Sequence, residues 1–215
     1  MCAVLTAGYS LADSVVLFND FGPADQLSDN FLQIGGAFPG FPGQRPAFAF
    51  VPTATAALDQ LDLALGVFGT SHGLTISLTA DSAGQPGSVL ESLSVSVSAF
   101  EEIVPIQSVT HPLLVEGTQY WLTATPTDFN DSYVWWVPSI LDLGTRASQF
   151  GGSDVWTVTE GRLLGGFDIT GNAPSSVPEP ASGALTIVGA TALLAFRRNW
   201  FAKRFRSSAS TGTPS

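Results

Sequence analysis

The chain has 215 residues, room for one domain of ordinary size with appendages, and only 12% of them are charged, which suits an all-β or extracellular chain better than a charged helical bundle. Five of the eight basic residues, Arg197, Arg198, Lys203, Arg204 and Arg206, follow Phe196; residues 1–196 carry three basic groups, Arg45, Arg146 and Arg162, against eighteen acidic ones, which excludes a nucleic-acid partner. The lone cysteine, Cys2, excludes an internal disulfide, thiol chemistry and Cys-ligated metal in the body.

In chain order, residues 1–12 read as the remnant of an export signal. A short apolar run, Cys2 to Leu11, ends with Ser10 and Ala12 at the third and first positions before a cut between Ala12 and Asp13. No Lys or Arg precedes the run, which leaves two readings: a signal whose start lies further upstream, or a first strand.

Residues 13–171 read as a run of strands. In QLDLALGV, Leu61, Leu63, Leu65 and Val67 alternate with more polar neighbours; in LTISLTADS, Leu74, Ile76, Leu78 and Ala80 do the same; in SLSVSVSA, Leu93, Val95 and Val97 alternate with serines. Each pattern gives a strand with one buried face. YWLTAT and YVWWVP read as more fully buried aromatic strands. Turn clusters separate them: GFPGQRP, TSHG, DSAGQPGS, TPTDFNDS and FGGSD. Short strands at this spacing, with no helical period and no longer repeat, predict an all-β fold, an antiparallel β-sandwich of jelly-roll-like form.

Candidate chemistry in the body is thin. GTSHG, residues 69–73, fits G-x-S-x-G with Ser71 as nucleophile, but that motif needs a strand turning into a helix, and a strand pattern follows here, so a hairpin turn is expected. His72 and His111 are the only histidines, too few for a His-rich metal site; His111 reads as a solvated strand-edge residue. Glu101 and Glu102 would point to opposite faces if extended and read as a charged turn, so no catalytic residue is assigned and the protein is expected not to be an enzyme. Asp128, Asn130 and Asp131 could supply oxygen ligands to calcium, though the Gly and distal Glu of an EF-hand loop are missing and a turn is favoured; no other cofactor or metal is expected. Asn130-Asp131-Ser132 also fits a glycosylation acceptor. In VWWVP, Trp135 and Trp136 face opposite ways, one into the core and the other outward or under a loop, where it could contact a sugar ring.

Residues 172–180 form a Pro- and Ser-rich linker. Ala181 to Phe196 follow without a charge, and Arg197 and Arg198 close the run, so residues 181–196 are expected to form a single transmembrane helix and residues 197–215 a basic cytoplasmic tail. Sixteen residues rise about 24 Å against a hydrocarbon core of about 30 Å, so the span is short and depends on its arginines as a stop-transfer signal. Pro178 and Pro180 keep the residues before them extended and accessible at the outer interface.

Two kinds of resemblance emerge from these stretches. DSAGQPGSVLES (residues 81–92) and LLVEGTQYWLTAT (113–125) resemble the characteristic segments of choice-of-anchor R domains, and FNDFGPADQ (18–26) and GGFDITG (165–171) are similar to that family's ends. The C-terminus resembles a PEP-CTERM sorting domain, in the order Val177-Pro178-Glu179-Pro180, apolar span, basic cluster. The resemblance implies an exported bacterial protein processed in the lipid bilayer by an exosortase-type membrane enzyme and delivered to the cell surface or extracellular matrix. It leaves extracellular polysaccharide as a possible ligand of the body and implies no catalysis. One departure stands out: the chain continues for 17 residues after Arg198.

Overall fold

The computed structural model describes residues 14–36, 42–68, 72–128 and 130–173, within a compact unit that runs to Pro174. The export signal with Ala12 and Asp13, Ser71, the motif Val177–Pro180, the span 181–196 and Arg197 with Arg198 lie outside the described residues. Among the described residues no helix is long and apolar enough to cross a membrane.

The described chain is all-β, thirteen strands joined in one large antiparallel sheet. The strands are β1 (Ser14–Asn19), β2 (Leu27–Gly35), β3 (Gln44–Phe50), β4 (Ala56–Phe68), β5 (Leu74–Asp81), β6 (Pro86–Val95) and β7 (Glu102–Gln107). They continue with β8 (Leu113–Leu114), β9 (Tyr120–Pro126), β10 (Ser132–Pro138), β11 (Leu143–Phe150), β12 (Thr157–Leu163) and β13 (Phe167–Asn172). A short 3-10 turn, Pro23–Asp25, follows β1.

The period-two pattern selects the buried face. Leu61, Leu63 and Leu65 of β4, Leu74, Ile76 and Leu78 of β5, and Leu93 and Val95 of β6 all point into one core with Val97. Each such leucine removed from water stabilises the fold by about 1.5–3 kcal/mol before chain entropy is counted. The long strand β4 organises one arm. Along one edge it pairs with β13 and then β10, and along the other with β8 and β7, while β1 joins β13 and β2 joins β10. The second arm runs β12, β11, β3, β9, β5, β6.

The arms connect where β2 and β3 share a single residue pair, Gly35 with Gln44, supported by the Gln44 amide donating to the Gln33 carbonyl at 2.7 Å. A ladder this narrow lets the sheet bend. Side chains of both arms then meet, Tyr133 and Trp135 from one and Phe48, Phe50, Ile76 and Leu122 from the other, to give a sandwich-like core.

Turn chemistry located the reversals but not what they connect. DSAGQPGS and FGGSD close true hairpins, β5–β6 and β11–β12. The segment at His72 and Gly73, expected as a hairpin turn, instead carries the chain from β4 in one arm to β5 in the other, and the stretch after β9 likewise crosses to β10. Local dihedral preferences are the same in both cases; the pairing partner is chosen by distant apolar surface.

The segments that carried the resemblance prove to be neighbours. The Asp81 carboxylate accepts from Gly84 N at 3.1 Å within its own turn, and from Gln119 Nε2 and Trp121 Nε1, both at 2.8 Å, on the EGTQYW segment. The FND segment meets GGF: Phe167 N donates to Asp20 Oδ1 at 2.7 Å, and Asn19 Oδ1 accepts from Phe21 N at 2.9 Å.

Candidate functional site

Among the described residues two regions hold groups that could act on something outside the fold. The first is the loop end where β4 leads into β5 and β9 into β10. Asp131 stands at its centre with a side chain only 2% exposed. Its Oδ1 lies 2.7 Å from His72 Nδ1, its Oδ2 accepts from His72 N at 3.0 Å, and its carbonyl accepts from Gly36 N at 2.7 Å. Gly73 N donates to the Tyr133 hydroxyl at 3.0 Å, and Thr127 N to the Gly73 carbonyl at 2.9 Å. Asp131 thereby joins three connections, holding His72 through its carboxylate and Gly36 through its backbone carbonyl.

The electrostatics follow. The hydrogen bond to Asp131, then its charge, raises the His72 ring above its ordinary value. Burial works to raise Asp131, but the bonds from the His72 backbone and ring outweigh it, and the carboxyl ends lowered. An imidazole held through Nδ1 on a carboxylate, its side chain 62% exposed, has the orientation of a general base. A hydrolase needs more. The candidate nucleophile Ser71 lies outside the described residues, and the following element is the strand β5, where the nucleophile motif requires a helix.

Of the calcium candidates, Asp131 belongs to this dyad, and Asp128 and Asn130 lie beside it in a turn. Both oxygens of Asp131 serve His72, and Asp128 Oδ1 accepts from Asn130 N at 2.8 Å and Nδ2 at 2.9 Å, the side-chain turn that Asp favours. Among the described residues no group of three or more His, Cys, Asp or Glu is placed to hold a metal ion.

The second region is the outer face of β2, β10, β4 and β7. Trp135 is fully buried, its Nε1 donating to Gly166 O at 2.9 Å, and Trp136, the indole on the opposite face, is 4% exposed with its Nε1 donating to Phe100 O at 2.9 Å. Neither indole offers a ring face to a sugar, because a loop has folded over the outward one. That loop can approach because position 66 is glycine: a Cβ there would strike the Phe100 carbonyl.

The exposed aromatics are phenylalanines instead. Phe31, Phe68 and Phe100 are 46%, 41% and 50% exposed and close a ring of edge-on and tilted contacts around Trp136, with centroid separations of 4.9–5.9 Å. Beside them Ala24, Asp25, Gln26, Leu27, Glu101, Glu102 and Ile103 line an open depression of about 460 Å³. Ala24 and Asp25 have φ of 67° and 49°, a conformation that strains non-glycine residues and concentrates at functional surfaces. Glu101 and Glu102, expected as a charged turn, divide their roles: Glu102 opens β7 and its Oε1 accepts from Ser98 N at 2.6 Å and Ala99 N at 3.1 Å, fixing the loop, while Glu101 stays exposed.

His111, read as solvated, is indeed exposed but also anchored, its Nδ1 lying 2.8 Å from Leu58 O. Sequence reasoning passed over Glu91, which lies in phase with Leu93 and Val95 and is 5% exposed. Its carboxylate gathers Ser108 Oγ, Val109 N and Thr110 N at 2.6–2.8 Å, and the period-two pattern was the signal that could have found it. Asp20, 1% exposed, was also missed, and no local pattern marks it.

Compared with models of known protein families and with curated proteins, the chain matches none.

Proposed function

We propose that the chain is a non-catalytic, exported surface or matrix protein sorted by a PEP-CTERM-type signal, with a jelly-roll-like sandwich related to choice-of-anchor R domains as its cargo. The observation that carries this reading is the tripartite C-terminus: Val177-Pro178-Glu179-Pro180, sixteen uncharged residues, then Arg197 and Arg198. The positive-inside bias orients such a span with its tail in the cytoplasm and the body outside. The extended prolines then offer a strip to an exosortase-type enzyme at the outer interface. Replacing Pro178, Glu179 and Pro180 together by alanine is expected to leave an uncleaved, membrane-retained protein on fractionation and immunoblotting; processing and release identical to wild type would remove the reading.

A second reading, a carbohydrate-binding module of the exopolysaccharide matrix, is favoured by the exposed Phe31, Phe68 and Phe100 beside a depression lined with Asp25, Gln26, Glu101 and Glu102. Ring faces stack on sugar C–H surfaces, and carboxylates and amides accept sugar hydroxyls. Titrating the full chain with bacterial exopolysaccharide is expected to change tryptophan emission through Trp136, and Phe100→Ala to abolish the change. An absent response in wild type, or an equal one in the variant, rejects this reading.

A further inference from the structure

The end of β1 is held to the start of β13 by a reciprocal pair of bonds. Asp20 N donates to Phe167 O at 3.3 Å, and Phe167 N donates to Asp20 Oδ1 at 2.7 Å. Asp20 is 1% exposed, and its second oxygen, Oδ2, is buried with no hydrogen-bond partner among the described residues. Among the described residues the charged groups acting on it are both acids, Asp142 from the segment before β11 and Asp168 from β13. Asp168 in turn faces Asp62 of β4 and Asp25 of the 3-10 turn, and it too has a buried oxygen, Oδ1, without a partner among the described residues. A negative charge at Asp20 would therefore be desolvated, half-bonded and surrounded by its own sign.

The next residue makes this local problem consequential. Phe21, 2% exposed, is the lid of the outer apolar cluster with Ala64, Val134 and Trp136, seated where a Cβ on Gly166 would stand 2.8 Å from its ring. Releasing the Asp20 bonds would free Phe21 and uncover that cluster beside the exposed phenylalanines.

We propose that Asp20 is a proton-dependent clasp: the neutral carboxyl closes the β1–β13 end and seats Phe21, and ionisation favours an open form in which both are released. A neutral carboxyl keeps the acceptor for Phe167 N and carries no charge to repel Asp142 and Asp168. The carboxylate regains water only by opening. Burial, chiefly, raises its pKa to about 8 in the closed form from 3.8, with Asp142 and Asp168 adding to the rise and the Phe167 bond opposing it. The open carboxyl ionises near 3.8 and the closed one near 8, so closure is strongest below 3.8, weakens as pH rises and levels off above 8.

Amide hydrogen exchange of the full chain, corrected for intrinsic rates, tests this by comparing Ser14–Gly22 with β5 and β9 between pH 5 and 9. The expected result is an opening equilibrium for Ser14–Gly22 that rises about tenfold per pH unit up to pH 8 and then flattens, while β5 and β9 change less. Asp20→Asn, isosteric and uncharged, should remove most of the pH dependence of that segment's opening, leaving only the part contributed by Asp168. Asp142→Asn removes a repelling neighbour, lowers the pKa of Asp20 in the closed form, and should bring the plateau to lower pH; it also serves if Asp20→Asn does not fold. An unchanged pH dependence in these variants overturns the clasp. So does a segment that opens equally at all pH values, or in step with β5 and β9, the last placing the effect of Asp20 on global stability instead.

Discussion

At the scale of single residues, the described fold uses carboxylates as connectors. Asp81, Glu91 and Asp131 each gather donors from a segment far away in the chain, where a backbone ladder cannot reach. Bonds to an ionised acceptor are about twice as strong as neutral ones, and they keep the acid ionised. The His72–Asp131 pair makes a direct prediction. Because the Asp131 bond raises His72, the ring of the wild-type protein is expected to titrate above 6.5 in an NMR pH series. Asp131→Asn should bring it back to the ordinary range. The pair is strongest while the imidazole is protonated and weakens as pH rises through its raised pKa. Little of this was legible beforehand: Ser71, His72 and Asp131 were each singled out, but for a nucleophile motif and a calcium loop, and the 59-residue separation of His72 from Asp131 hid the pair.

At the scale of elements, the strands were readable and their partners were not. Alternation marked the buried faces of β4, β5 and β6, because a strand with one wet face must alternate. Alternation is silent about the other face of β4, where Ala64 and Gly66 are small for a reason that lies elsewhere: Phe21 and the Phe100 loop pack against them. Gly66→Ala is expected to push the loop outward, break the Trp136–Phe100 hydrogen bond and cost about 2–4 kcal/mol, read from urea denaturation. Trp136 emission should shift with it. A loss below about 0.5 kcal/mol would show that the loop is not held by this contact. The neighbouring Gly165 and Gly166 have a related role, since they thread between Trp135 and Phe21 where the partner of β4 changes from β13 to β10.

At the scale of the whole molecule, composition and order reach furthest. Scarce charge, abundant turn residues and period-two runs determined an all-β body by themselves, because those patterns state directly which atoms must leave water. The C-terminal sequence likewise supports the sorting proposal without any fold, since an apolar run and its flanking charges act on a bilayer through composition. Only tertiary structure decided which turns are hairpins and which cross between arms, that both Trp135 and Trp136 are covered, and that phenylalanines form the exposed aromatic face. Only it decided that Asp20 is a buried acid among acids. The physical reason is common to all four. Each depends on contacts between residues distant in the chain, and the free energy that selects those contacts is shared across the core and not written in any one segment.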